Sequence, residues 1–280
     1  MDAMHDSATP FAAFKSRWQP AIEHALADLA APSGAQERLA EAMRYSLLSQ
    51  GKRIRPLLVL AAADTCGGNV ERAIHAACAL EMAHVSSLIL DDLPAMDDDD
   101  TRRGKLANHK VYGEATAILA SNALLARAFE LLAEYSVGAV LCKELAAALG
   151  AAGMCGGQSD DIQGGVATFD DLMKMHAGKT GALIRASVRI GAILSDAEAQ
   201  KIESLSQYGD AIGLAFQITD DLLDREVEKE KVTFPSLLGV EKSKEIAGQK
   251  TDEALRSLES FGPKAEVLRD LTHAILARHS

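Results

Sequence analysis

Residues 81–105 read EMAHVSSLILDDLPAMDDDDTRRGK. An apolar helical pattern runs from Leu80 to Leu90 and stops on Asp91-Asp92, then Leu93-Pro94-Ala95-Met96 leads to four aspartates at 97–100 and to Arg102-Arg103. Six carboxylates therefore lie within ten residues, and like charges so close together call for cations. A run of acids is most often a solvated loop or tail. This one grows straight out of a helix with no polar lead-in, which predicts that the first pair is fixed at the end of a core helix and faces a cavity. Oxygen-only ligands point to Mg²⁺, which keeps waters and takes one or two carboxylates plus substrate phosphates. The guanidinium forks of the two arginines suit those phosphates.

Outward from this stretch the chain reads as helix after helix. Alanine and leucine dominate and aromatics are only 4%, a composition that favours helices over sheets. Apolar spacing predicts helices over 11–29, 36–49, 70–92, 114–134, 138–149, 151–165, 169–175 and 180–194. A basic turn, 51–56, leads into a further helix with Pro56 in its first turn. Ser195-Asp196-Ala197-Glu198 resembles an N-terminal capping box that opens a helix to about Asp224. Two more are expected near 241–259 and 264–278. No alternating β-branched run, hairpin signal, short-period repeat or linker stands out. The prediction is one all-α domain over 1–280, about a dozen helices around a central cavity, with 1–9 disordered.

Several function classes are disfavoured. The net charge of −11 argues against nucleic acid or an acidic membrane surface as a partner. Cys66, Cys78, Cys142 and Cys155 have no C-x-x-C spacing and read as reduced thiols in a cytoplasmic protein. There is no signal-peptide layout and no uninterrupted run of eighteen apolar residues, so no membrane span is expected.

A second acidic cluster lies far downstream. Gln217, Asp220, Asp221 and Asp224 fall at i, i+3, i+4 and i+7, on one helical face. A solvent stripe commonly mixes Lys with Glu, whereas this one holds acids and an amide. Facing the first cluster across a helical barrel, it would hold Mg²⁺ ions and one diphosphate between them.

Asp91-Asp92-x₄-Asp97 with Arg102-Arg103, together with Asp220-Asp221-x-x-Asp224, resembles the two aspartate-rich motifs of the trans-prenyl diphosphate synthases. The motif 51–56, His84, Gly157-Gln158, Lys179-Thr180-Gly181 and Phe216-Gln217 match that family in order and spacing over most of the chain. Each is weak alone; together they are specific. The resemblance implies an isoprenoid-synthase-type bundle, a homodimer, and a Mg²⁺-dependent condensation of isopentenyl diphosphate with an allylic diphosphate, with three ions per site. It implies Asp91, Asp97 and Asp220 as metal ligands, supported by Asp92, Asp221 and Asp224. It assigns the allylic diphosphate to Arg102, Lys179, Thr180 and Gln217, and isopentenyl diphosphate to Lys52, Arg55, His84 and Arg103. In this family the growing tail runs down the helix that ends at Asp91. Ser86 and Ser87 there leave the shaft open, with the next obstruction near Met82 or from the dimer partner. Geranylgeranyl diphosphate is thus the expected product, farnesyl diphosphate the alternative.

The chain departs from the family pattern in two places. Only 225–232 separates the second motif from Thr233-Phe234-Pro235, so the family's diphosphate lysine is missing, with Lys229 or Lys231 as possible substitutes. Leu90 precedes Asp91 where farnesyl synthases usually carry His. A regulatory subunit of the same fold would usually have lost one acidic motif, and both are intact. A terpene cyclase would lack the set Lys52, Arg55 and Arg103. Blander readings stand beside these. Glu81 and His84 imitate a di-iron element, but no second copy exists. Lys52, Arg53 and Arg55 could be a solvated helix entry, and Gly156-Gly157 simple close packing. His5, His109, His273 and His279 read as surface residues.

Overall fold

The computed structural model describes residues 9–164, 166–224 and 232–276. The elements run α1 Pro10–Leu29, α2 Glu37–Leu47, α3 Ile54–Thr65 and α4 Ile74–Asp91, then a two-stranded hairpin, β1 Thr101–Arg102 with β2 Lys105–Leu106. Next come α5 Asn108–Tyr112, α6 Glu114–Ala133, α7 Gly138–Leu149, α8 Met154–Gln163, α9 Phe169–His176, a π-helical turn Ala177–Gly181 and α10 Ala182–Leu194. The long α11 Ala199–Asp224 is followed by α12 Phe234–Leu238, α13 Val240–Ser257 and α14 Glu266–Leu276. The all-α expectation holds.

Helix α4 lies at the centre because nearly every face of it is apolar and small. Ala76, Ala77, Cys78, Leu80, Met82 and Ala83 are all fully buried. It packs on α3 and α6, while α10 packs between α3 and α11. The α3–α10 contact is close enough to need a glycine: a Cβ on Gly191 would fall 2.2 Å from the Val59 carbonyl oxygen. A smaller cluster of Leu172, Leu214, Ile218, Phe234 and Ile246 joins α9, α11, α12 and α13.

Arg53 ties the other end of this core. It has a left-handed backbone (φ 51°) at the entry to α3 and its side chain is buried. Its guanidinium donates to Glu23 of α1 (Nε–Oε1 2.8 Å), to Glu81 of α4 (Nη1–Oε1 2.7 Å) and to the carbonyls of Leu47 and Ser49. The solvated-entry reading therefore fails for Arg53, because two carboxylate partners repay its desolvation. The same pair settles Glu81, which serves Arg53 rather than a metal.

Four local readings need correction. The hairpin is an element that no sequence signal announces; Arg103 (φ 53°) and Gly104 (φ 77°) form its turn, and positive φ at both central residues is the type I′ signature that matches strand twist. Ser195 does not open α11. Its hydroxyl donates back to the Gly191 carbonyl (2.9 Å) and to the Ala63 carbonyl (3.3 Å), closing α10. His109 is 7% exposed, not a surface residue. Asn108 next to it donates to Ala42 O and Ser46 Oγ of α2, both at 2.8 Å, which docks α5 and draws His109 inward. Lastly, Glu71–Asp91, Glu114–Ala133 and Gly138–Gln163 reach the length and mean hydropathy of a membrane span. No uninterrupted apolar run is needed, because alanine-rich helices reach the same mean. In the first, 67% of the window is buried inside the fold, against 39% and 33% in the others.

Candidate active site

Two cavities adjoin α4. The larger, about 470 Å³, is lined by Asp91, Ser86 and Ser87 of α4, Gln158 of α8, and Lys179 and Thr180. The smaller, about 310 Å³, is lined by Lys52, Arg103 and Phe216. Arg55 and His84 face both. Of the residues expected at the allylic diphosphate, Lys179 and Thr180 line the larger space while Arg102 and Gln217 line neither; of those expected at isopentenyl diphosphate, Lys52 and Arg103 line only the smaller.

Burial brings the Arg55 guanidinium down to about 10, and nearby Arg103 works in the same direction. Its Nε has no hydrogen-bond partner. It remains a cation at neutral pH with unused donor capacity, which fits an anionic ligand. Burial, reinforced by Arg55 and Arg103, holds the His84 imidazole well below its ordinary range, so the ring is neutral. Gly51 leaves room for Arg103: a Cβ there would sit 2.9 Å from Arg103 Nη1.

Asp91 is the last residue of α4, where a carboxylate opposes the helix dipole. Burial pushes its carboxyl up to about 6; Asp97 and Asp92 push the same way, against Lys179 and Arg102. Asp97 is presented by the loop that follows α4, and its N–H returns to the Asp91 carbonyl at 2.9 Å. Asp97 also lines a third cavity with Asp161. Asp92 is buried and engaged with Arg102 (Nε–Oδ1 2.7 Å), which also donates to Asp99 at 2.7 Å.

Lys179 and Thr180 sit in the π turn, a geometry that recurs at functional sites. Gly157 makes this possible: a Cβ on it would fall 2.2 Å from Lys179 N and 2.6 Å from Met175 O. The close-packing reading holds for Gly157. Gly157→Ala is expected to cost about 1–3 kcal/mol, because it must displace backbone rather than a flexible side chain. It should also raise the allylic-substrate KM; urea denaturation and steady-state kinetics check both.

Lys179 Nζ pairs with Asp161 Oδ2. The Thr180 hydroxyl donates to Gln217 Oε1 (3.0 Å), and Gln217 Nε2 donates to Asp221 Oδ1 (3.0 Å). Asp221 is buried, and its Oδ2 accepts the Phe234 N–H at 3.0 Å. His176 Nε2 stands 3.7 Å from that oxygen. Burial brings this imidazole down to about 4, so the contact is with a neutral ring. Asp220 is half-buried and raises the Arg55 pKa from across the site. The side chain of Asp224 lies outside the described residues, as do Lys229, Lys231, His5 and His279. Among the described residues no three acidic, His or Cys side chains converge closely enough to hold an ion by themselves.

Some site residues had no signal in the sequence. Leu125, Leu149 and Met154 line the larger cavity only through packing, and Ser121 meets Ser86. Met82 is fully buried and does not line the tail cavity, whose wall includes Ala83, Leu125, Leu149 and Met154.

The polyprenyl synthetase family model matches residues 36–253. The chain belongs to the polyprenyl synthetase family. This polyprenyl synthetase is 44% identical over 268 residues to a dimethylallyltranstransferase of Fischerella ambigua (strain UTEX 1903), covering 88% of this chain and 78% of that one. It is 41% identical to geranylgeranyl pyrophosphate synthase 3, chloroplastic, of Arabidopsis thaliana, covering 99% and 84%. The crystal structure of a FPP/GFPP synthase from Zymomonas mobilis superposes with a TM-score of 0.87 at 38% identity, covering 94% of this chain and 99% of that one. Membership makes the chain a prenyltransferase acting on isoprenoid diphosphates, with the isoprenoid-synthase fold the sequence implied.

Proposed function

We propose that this polyprenyl synthetase condenses isopentenyl diphosphate with an allylic diphosphate, head to tail, up to geranylgeranyl diphosphate. The observation that carries the reading is the pair of adjoining cavities with Arg55 and His84 in the shared wall. In the reaction the allylic C–O bond breaks and diphosphate leaves. The isopentenyl double bond forms a C–C bond to the allylic carbon, and the resulting cation loses a proton to the departed diphosphate. Lys179 and Thr180 hold the allylic diphosphate, with Arg102 and Gln217 beside them. Lys52, Arg55, His84 and Arg103 hold isopentenyl diphosphate; neutral His84 donates or accepts one hydrogen bond without competing for charge. The leucine-lined remainder of the larger cavity keeps water from the cation.

The residues fit Mg²⁺. The donors are carboxylates, Asp91, Asp97 and Asp220 first, with Asp92 and Asp224 in support. Carboxylate oxygens are the donor class this hard cation takes, with waters and phosphate oxygens completing its shell. Three bound ions would supply charge neutralisation for the leaving diphosphate.

Product length rests on Ser86. Its hydroxyl lies 2.9 Å from Ser121 Oγ, which also bonds the Ser86 carbonyl at 2.9 Å. Two short side chains meet there instead of an aromatic floor. Ser86→Tyr is expected to shift the main product from twenty to fifteen carbons with activity retained. Product chromatography with excess isopentenyl diphosphate is the check, run with Mg²⁺ and each allylic primer in turn. Wild-type protein that stops at fifteen carbons would refute the assignment and favour farnesyl diphosphate. Absence of any prenyl product would favour the regulatory-subunit reading.

A homodimer is supported by apolar side chains left exposed on neighbouring elements: Leu106 of β2, Val111 of α5, and Ile118 and Leu119 of α6. The four free cysteines fit a reducing compartment, such as the cytoplasm.

A further inference from the structure

Asp221 sits next to Asp220, yet it does something different. Two other segments, Phe234 at the start of α12 and His176 at the end of α9, meet at its buried carboxylate, together with Gln217 one turn back on α11. The fully buried Phe234 ring stacks on His176 (centroids 5.3 Å apart, planes at 24°), and Phe169 meets it edge-on at 6.1 Å. Directly after His176 the chain enters the π turn that carries Lys179 and Thr180. Two routes thus run from Asp221 to that turn. One passes through Gln217 to the Thr180 hydroxyl, the other through Phe234 and the His176 ring.

We propose that Asp221, His176 and Phe234 form a positioning cluster that fixes the π turn and the entrance of α12 against α11, and that Asp221 acts there as a hydrogen-bond anchor rather than as a metal ligand. This rests on the proposed function only for what the turn holds, the allylic diphosphate. A backbone N–H bonded to a buried carboxylate is a charge-assisted hydrogen bond, stronger than one between neutral groups. The carboxylate is therefore suited to hold a segment that enters straight from a loop. The His176 ring acts by its flat face, so a phenyl ring can take its place.

The test uses the full chain and the variants Asp221→Asn, His176→Ala, His176→Phe and Asp220→Asn. Amide hydrogen exchange is read at 177–181 and 233–238 without substrate. Asp221→Asn and His176→Ala are expected to speed exchange in both segments about tenfold or more, while His176→Phe restores protection. Mn²⁺ binding in the presence of inorganic diphosphate is followed by the paramagnetic resonance of free ion. Asp220→Asn should weaken it at least about tenfold and Asp221→Asn less than about twofold, by the order of losing one ligand against losing none. In kinetics, Asp221→Asn should raise the allylic KM and leave the isopentenyl KM unchanged. Mn²⁺ affinity that falls as far in Asp221→Asn as in Asp220→Asn overturns the proposal, and so does unchanged exchange at Phe234 in His176→Ala. The exchange rates are read without turnover and hold whether or not prenyl transfer is detected, which separates this proposal from the fate of the proposed function.

Discussion

Asp91→Ala is expected to lower turnover by several orders of magnitude and leave the helical circular dichroism intact. The same holds for Asp220→Ala on α11. Under the proposed function each removes a carboxylate that would hold Mg²⁺ against the diphosphate, where charge stabilisation contributes several kcal/mol of barrier lowering. Near-normal kcat in both variants would sink the mechanism. The first substitution has a second, opposite effect. The Asp91 carboxyl is raised to about 6 from an ordinary value of 3.8, chiefly by burial. A group whose folded pKa lies above its unfolded one stabilises the fold at low pH and loses that contribution as pH rises through the folded value. Metal-free protein therefore loses stability from this group between about pH 4 and 6, on the order of 1–3 kcal/mol. Asp91→Ala removes that cost, so at neutral pH without metal the inactive variant should melt no lower than wild type. A clearly lower melting temperature would show that Asp91 stabilises the fold.

Arg53→Ala is expected to cost about 3–5 kcal/mol of folding stability, because a buried carboxylate loses its hydrogen-bonded partner and keeps only Arg103, 3.9 Å away. Glu81 is 2% exposed and is the group left behind. Urea denaturation should show the loss, and adding Glu81→Gln should recover a good part of it, since the unpaired charge is then gone. A double variant as unstable as the single one would mean that the Arg53 contacts to Glu23, Leu47 and Ser49 carry the effect instead. The substitution touches no proposed diphosphate ligand, yet it loosens the turn that bears Lys52 and Arg55.

The sequence made the helices legible because their apolar positions recur with helical spacing, and the two acidic clusters legible because nothing structural asks for carboxylates at the end of an apolar helix. What it hid follows from contacts that span long stretches of chain. Arg53 reads like its neighbours Lys52 and Arg55; only Glu23 and Glu81, from two other helices, distinguish it. Asp161 finds Lys179 through the α8–π-turn contact, and no local spacing announces that. The hairpin at Arg103-Gly104 is invisible in the sequence because its strands are two residues each, too short for any alternation. Ser195 satisfies a capping pattern but has a better acceptor in the turn behind it. Met82 faces the core, not the tail cavity: rise along a helix fixes depth, while the neighbouring helices decide which side is hollow.

The wall shared by the two cavities sets a rule for repeated use. Head-to-tail joining breaks the allylic C–O bond and keeps the isopentenyl one, so each new, longer allylic diphosphate is made with its headgroup on the Lys52 side. Another round needs that headgroup on the Lys179 side. Arg55 and His84 border both spaces, so on the proposed assignment of the two diphosphates that transfer passes them. The catalyst's processivity is then a contest between hopping past them and escape to solvent. Pulse–chase labelling would read the outcome as the fraction of fifteen-carbon intermediate released before the final addition, and Arg55→Lys, which narrows the reach of that cationic bridge, should raise it.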